Sequence, residues 1–117
     1  MTKLYRQAGD SLTLIAPAGG VVSGTGYVIG NLFVVAEGTA AAGELFVGNA
    51  EGMHNLAHQA TEGMTAGQIA YWDDTLKTVR NATAAGRFII GAVPDAVGAS
   101  DALAPVRLNG VHVVAIP

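Results

Sequence analysis

The side chains that could do chemistry are few, and their spacing limits what each could do. His54 and His58 stand four residues apart and His112 lies far downstream; three imidazoles could ligate zinc if two of them shared a helical face. The segment Glu51-Gly52-Met53-His54-Asn55-Leu56-Ala57 reads as extended, however, and residues four apart on a strand are separated by about 13 Å. The two histidines are therefore expected to be solvated or locally hydrogen bonded, not joined at one ion. Asp73 and Asp74 adjoin each other beside Tyr71-Trp72, and paired carboxylates perform acid–base work when their environments push their pKa values apart. Followed by Thr75-Leu76-Lys77, they suit a turn better, with Asp oxygens accepting from nearby backbone N–H groups.

The remaining motifs fail their own structural tests. Gly24-Thr25-Gly26-Tyr27-Val28-Ile29-Gly30 misses the dinucleotide spacing and enters a β-type run where the pyrophosphate would need a helix N-terminus. No Gly-Lys-Ser/Thr phosphate loop is present, and Ser23 and Ser100 each lack one glycine of a nucleophile elbow. With no cysteine in the chain, thiolate catalysis, Cys-based zinc sites and disulfides are excluded. Asn81-Ala82-Thr83 is a formal glycosylation acceptor that reads as a polar turn. The expectation is of no catalytic residue, no metal ligand, no cofactor and no enzyme activity.

The elements that carry these residues read as β throughout. Runs at Leu12 to Ala16, Tyr27 to Ile29, Leu32 to Ala36, Glu44 to Val47, Ile69 to Trp72, Arg87 to Val93, Val106 to Leu108 and Val111 to Ile116 alternate with Gly, Asn and Asp punctuation. That spacing predicts an all-β fold, a single antiparallel β-sandwich or barrel-like domain over residues 1–117 with short loops and little helix. Gly30-Asn31 predicts a tight hairpin over 27–36, and Asn109-Gly110 predicts a second one with 111–114 as its return strand. Phe33, Tyr71 and Trp72 are the candidate core anchors, with sugar stacking on Tyr71 and Trp72 as the alternative. Ala-rich stretches at 39–43 and 81–86 end in glycine too soon for a helix.

Charged residues form 13% of the chain against 50% apolar ones, so some apolar surface is expected to meet protein. The net charge is −3 and the six Lys and Arg residues are scattered, which argues against nucleic acid as a partner. The apolar runs are far below the roughly 20 residues of a membrane-spanning helix, and no secretory signal is apparent at the start. Leu4 and Tyr5, between Lys3 and Arg6, suggest a contact arm over residues 1–9.

Several segments together resemble one family. They are Asp10 to Val21, Gly26 to Ala36, Gly43-Glu44, Gly67-Gln68-Ile69-Ala70-Tyr71-Trp72-Asp73, Ile90-Gly91-Ala92-Val93 and Val106-Arg107-Leu108-Asn109-Gly110, in that order. The chain is similar to the capsid cement, or head decoration, proteins of tailed phages and prophages. The resemblance implies a virion protein on the capsid exterior, made in the host bacterial cytoplasm, that braces the major capsid protein lattice. It also implies a homo-oligomer, with a trimer favoured. Recombinase-like labels attached to the family find no phosphate loop here. A tail or head-fibre module and a carbohydrate-binding β domain are the alternatives. The chain departs from the family pattern after Gly110, where 111–117 could add a terminal strand, and Val113 and Ile116 join Leu4 and Tyr5 as candidate assembly contacts.

Overall fold

A computed structural model describes residues 11–117, so the suggested contact arm with Leu4 and Tyr5 lies outside the described residues. Within them the fold is all β, and antiparallel. The strands are β1 (Ser11–Ile15), β2 (Gly26–Ile29), β3 (Leu32–Ala36), β4 (Leu45–Asn49), β5 (Glu51–Ala57), β6 (Ile69–Asp73), β7 (Thr78–Arg80), β8 (Phe88–Ala92) and β9 (Leu103–Asn109). They form a four-stranded sheet, ordered β1-β4-β3-β2, and a five-stranded sheet, ordered β5-β9-β8-β6-β7. Only Ala50 separates β4 from β5, so one extended run passes from the first sheet to the second.

The five-stranded sheet bends until its two edges meet. His58, just past β5, forms a parallel bridge with Val79 of β7, and the Gln59 N–H donates to the Val79 carbonyl at 3.1 Å. Closing a sheet in this way removes exposed strand edges. Alternation then places Leu56, Ala70, Trp72, Val79, Ile90, Ala104, Val106 and Leu108 inside, all buried. The opposite face of β9 carries Leu103, Pro105 and Arg107 outward.

The β2–β3 hairpin joins this core to a second one. Phe33 and Val35 belong to the core of the five-stranded sheet, whereas Val34 and Ala36 pack with Tyr27, Phe46, Ala16 and Val21. Burial on both faces explains why β3 reads Leu-Phe-Val-Val-Ala as a continuous apolar run, without polar alternation. The turn is the expected two-residue one, with Gly30 at φ 63° and Ile29 paired to Leu32.

The second expected hairpin does not form. Asn109-Gly110 turns the chain, with Gly110 at φ 70° and the Val111 N–H donating to Asn109 Oδ1, but residues 111–117 are not a strand. The physical reason is topological: both edges of β9 are already taken, by β5 and β8, so a returning strand has no ladder to join. The tail crosses to other elements instead. The Val113 N–H donates to the Asn31 carbonyl, Asn31 Nδ2 donates to the Val113 carbonyl, and the Ile116 N–H donates to the Arg87 carbonyl.

Candidate assembly surface

The groups singled out for chemistry are committed to holding the fold. Asp73 Oδ1 accepts from the Thr75 and Leu76 N–H groups, both at 3.1 Å, in the turn that its position after a strand suggested. Its Oδ2 accepts from Arg80 at 2.9 Å, and Glu62 takes the other side of the same guanidinium at 2.8 Å. Arg80 on β7 thereby ties the β6–β7 turn to the 59–63 loop, and Glu62 also accepts from the Asn81 N–H. Asp74 accepts from Trp72 Nε1 at 3.1 Å and from Lys77 at 2.7 Å. Lys77 Nζ in turn lies 4.9 Å from the Tyr27 ring centroid, a favourable cation–π distance.

His54 and His58 are likewise engaged locally, while His112 is exposed on the tail. His54 Nε2 meets the Glu51 carbonyl, and buried His58 sets Nδ1 against the Asp101 carbonyl and Nε2 against the Glu62 carbonyl. Among the described residues no three His, Asp or Glu side chains gather as a metal site would require. An open cleft of about 440 Å³ runs between Pro17 to Gly20 and Tyr27, Asp74 and Lys77. Its charged pair is already neutralised within itself.

The carboxylates of this network answer to acid in a definite direction. Glu62 is held below the usual carboxylate range chiefly by its hydrogen bond from Arg80, and Asp73 chiefly by the Leu76 N–H, each against an opposing effect of burial. A carboxylate depressed in the folded state contributes stability that is complete above its unfolded pKa and is lost as pH falls through the folded one. Urea unfolding should therefore show stability falling between about pH 5 and pH 2, with a shallower acid loss in Glu62→Gln. Equal acid sensitivity in both proteins would remove Glu62 from the account.

Beside this network the surface also carries exposed apolar side chains. On β1 and β4 the outward residues are Ser11, Thr13 and Ile15 facing Asn49, Val47 and Leu45 across the ladder. Ile15 is 63% exposed and Leu45 68%, directly opposite each other, with Val47 beside them. Apolar side chains at adjoining ladder positions form a patch, unlike apolar residues scattered singly. Residues 6–108 match the family described as phage cement protein, which is most of the chain. The chain belongs to the phage cement protein family. No curated protein and no solved structure matches it.

Membership of the family gives the chain a structural role in the phage capsid. Of the assembly contacts expected from sequence, Val113 is 2% exposed and packs in the core of the five-stranded sheet. Its burial follows from the Asn31 clamp, which draws the tail inward. Ile116 is half-buried. Of the core anchors, Phe33 and Trp72 lie in that core with ring centroids 5.2 Å apart in an edge-to-face contact, and Tyr71 is half-buried on the other face of β6. Trp72 has no exposed surface, so stacking a sugar on a Tyr71–Trp72 platform is ruled out. The β1–β4 patch was missed in sequence because Ile15 and Leu45 become neighbours only through a ladder between residues 30 apart.

Proposed function

We propose that this cement protein binds the outer surface of a tailed-phage head and stabilises the major capsid protein lattice, without catalysing a reaction. The family match over residues 6–108 carries this reading. It is supported by the commitment of Glu62, Asp73, Asp74, Arg80 and His58 to internal bonds and by the exposed apolar residues on β1 and β4. Many modest contacts, repeated over a lattice, sum to firm attachment. The six dispersed basic residues give no footprint for encapsidated DNA.

The contact face in this reading is the outward side of β1 and β4, around Ile15, Leu45 and Val47. Leu45→Glu should leave stability within about 0.5 kcal/mol, as exposed substitutions do, and should sharply lower co-sedimentation with heads of the source phage stripped of cement. Undiminished binding by a folded Leu45→Glu protein would move the contact face elsewhere. Failure of the parent protein itself to bind such heads would overturn the function.

A further inference from the structure

We infer that two copies of this chain pair antiparallel through the free edge of β1, joining their four-stranded sheets into one continuous sheet about a two-fold axis. The inference starts from the phase of the backbone hydrogen bonds. The Ala16 N–H donates to the Glu44 carbonyl and the Ala16 carbonyl accepts from Gly43, whose φ of 84° fits a glycine bulge at the end of the ladder. Ala16 therefore turns its backbone toward β4, and by alternation so do Leu14 and Leu12. Ser11, Thr13 and Ile15 must then turn theirs away from β4. The far side of β4 agrees: Val47, opposite Thr13, gives its carbonyl to the Glu37 N–H on the β3 side.

Among the described residues nothing pairs with that outer edge, since β1 ends the sheet order. The residues of β1 themselves also carry none of the usual protection. Natural edges are blunted by charge, proline or bulges, and Ser11-Leu12-Thr13-Leu14-Ile15 contains none of them. The edges of β5 and β7, by contrast, close on each other.

A second copy fits this edge for two reasons. The outward ladder positions Ser11, Thr13, Ile15, Leu45, Val47 and Asn49 carry no charge, so two copies of an acidic chain approach there without repulsion. The edge is also self-complementary: centred on Thr13, an antiparallel pair sets Thr13 against Thr13 and Ile15 against Ser11. A Val47 flanks the threonine pair on each side, and cross-strand Thr–Thr contacts are favourable. The resulting two-fold pair departs from the trimer favoured by family resemblance, and it does not depend on the capsid reading.

The test needs only the purified chain. Because the protein has no cysteine, Thr13→Cys introduces one thiol, and directly opposed residues of this type lie about 5.5 Å apart, within disulfide reach. Thr13→Cys should cross-link under mild oxidant to a covalent dimer of twice 11.8 kDa, while Leu76→Cys, on an exposed turn, should not. Thr13→Pro removes only an outward N–H, so it should keep a β-type circular dichroism spectrum and halve the mass measured by sedimentation equilibrium. A monomeric parent whose Thr13→Cys variant cross-links no faster than Leu76→Cys would overturn the inference. So would a trimer, or an oligomer that a folded Thr13→Pro protein leaves intact.

Discussion

Replacing Trp72 with alanine should cost about 3 to 5 kcal/mol, the range for truncating a large buried aromatic. Trp72 has no exposed surface, presents an edge-to-face contact to Phe33 and donates its indole N–H to Asp74. It sits where the β2–β3 hairpin meets the five-stranded sheet, close enough that a side chain on Gly26 would strike the Phe33 ring and crowd the indole. Alanine would leave a cavity at the junction between hairpin and barrel, and neither can collapse into it without losing its own ladder. Against a total stability of about 5 to 15 kcal/mol for a domain of this kind, that loss leaves the protein marginal. Urea unfolding followed by circular dichroism measures it, and Trp72→Phe should recover most of the difference. A Trp72→Ala protein as stable as the parent would show that the junction contributes little to the fold.

The sequence is most legible where local chemistry decides the structure. Gly30-Asn31 supplies its own turn, and Asp73 supplies its own acceptor for the turn that follows, so neither needs a distant partner. Asn109-Gly110 carries an equally strong local signal and still fails as a hairpin, because turn chemistry says nothing about whether the preceding strand has a free edge. β9 has none. The burial of Val113 is hard to read for the same reason: a short apolar tail looks exposed until Asn31, 82 residues earlier, supplies its clamp. Thr78 to Arg80 went unread as a strand because only its central residue, Val79, is buried. Two outward-facing polar residues around one valine leave no period to detect. The exposed apolar patch on β1 and β4 is the extreme case, being made of ladder neighbours and of no motif at all.

The sheet closure that hides the edges of β5 and β7 rests on a close backbone approach, and Gly91→Ala should break it. The β8–β9 ladder registers only Gly91 with Leu108 and Ala92 with Arg107, yet it links the β5–β9 pair to the β8-β6-β7 side of the barrel. A Cβ on Gly91 would lie 2.0 Å from the Arg107 carbonyl oxygen and 3.2 Å from the Leu108 Cα. Those neighbours are backbone atoms, so no rotamer change relieves the overlap and one strand must move. Overpacking costs roughly 1 to 3 kcal/mol where side chains can yield, and a backbone obstacle puts this substitution at about 3 kcal/mol or above. Register makes relief harder still, because the β6–β8 pairing shifts between Ala70 and Tyr71 immediately alongside. Gly38→Ala is the matched control: nothing lies within 4 Å of its added Cβ and its φ is not in the left-handed region. It should be neutral or stabilising by up to about 1 kcal/mol through a less flexible unfolded chain. Amide hydrogen exchange locates the damage, with Gly91→Ala speeding exchange along β8 and β9 while the Tyr27–Val34 pairing of the hairpin keeps its protection. If Gly91→Ala and Gly38→Ala melt together, the two strands do not approach as closely as the fold requires.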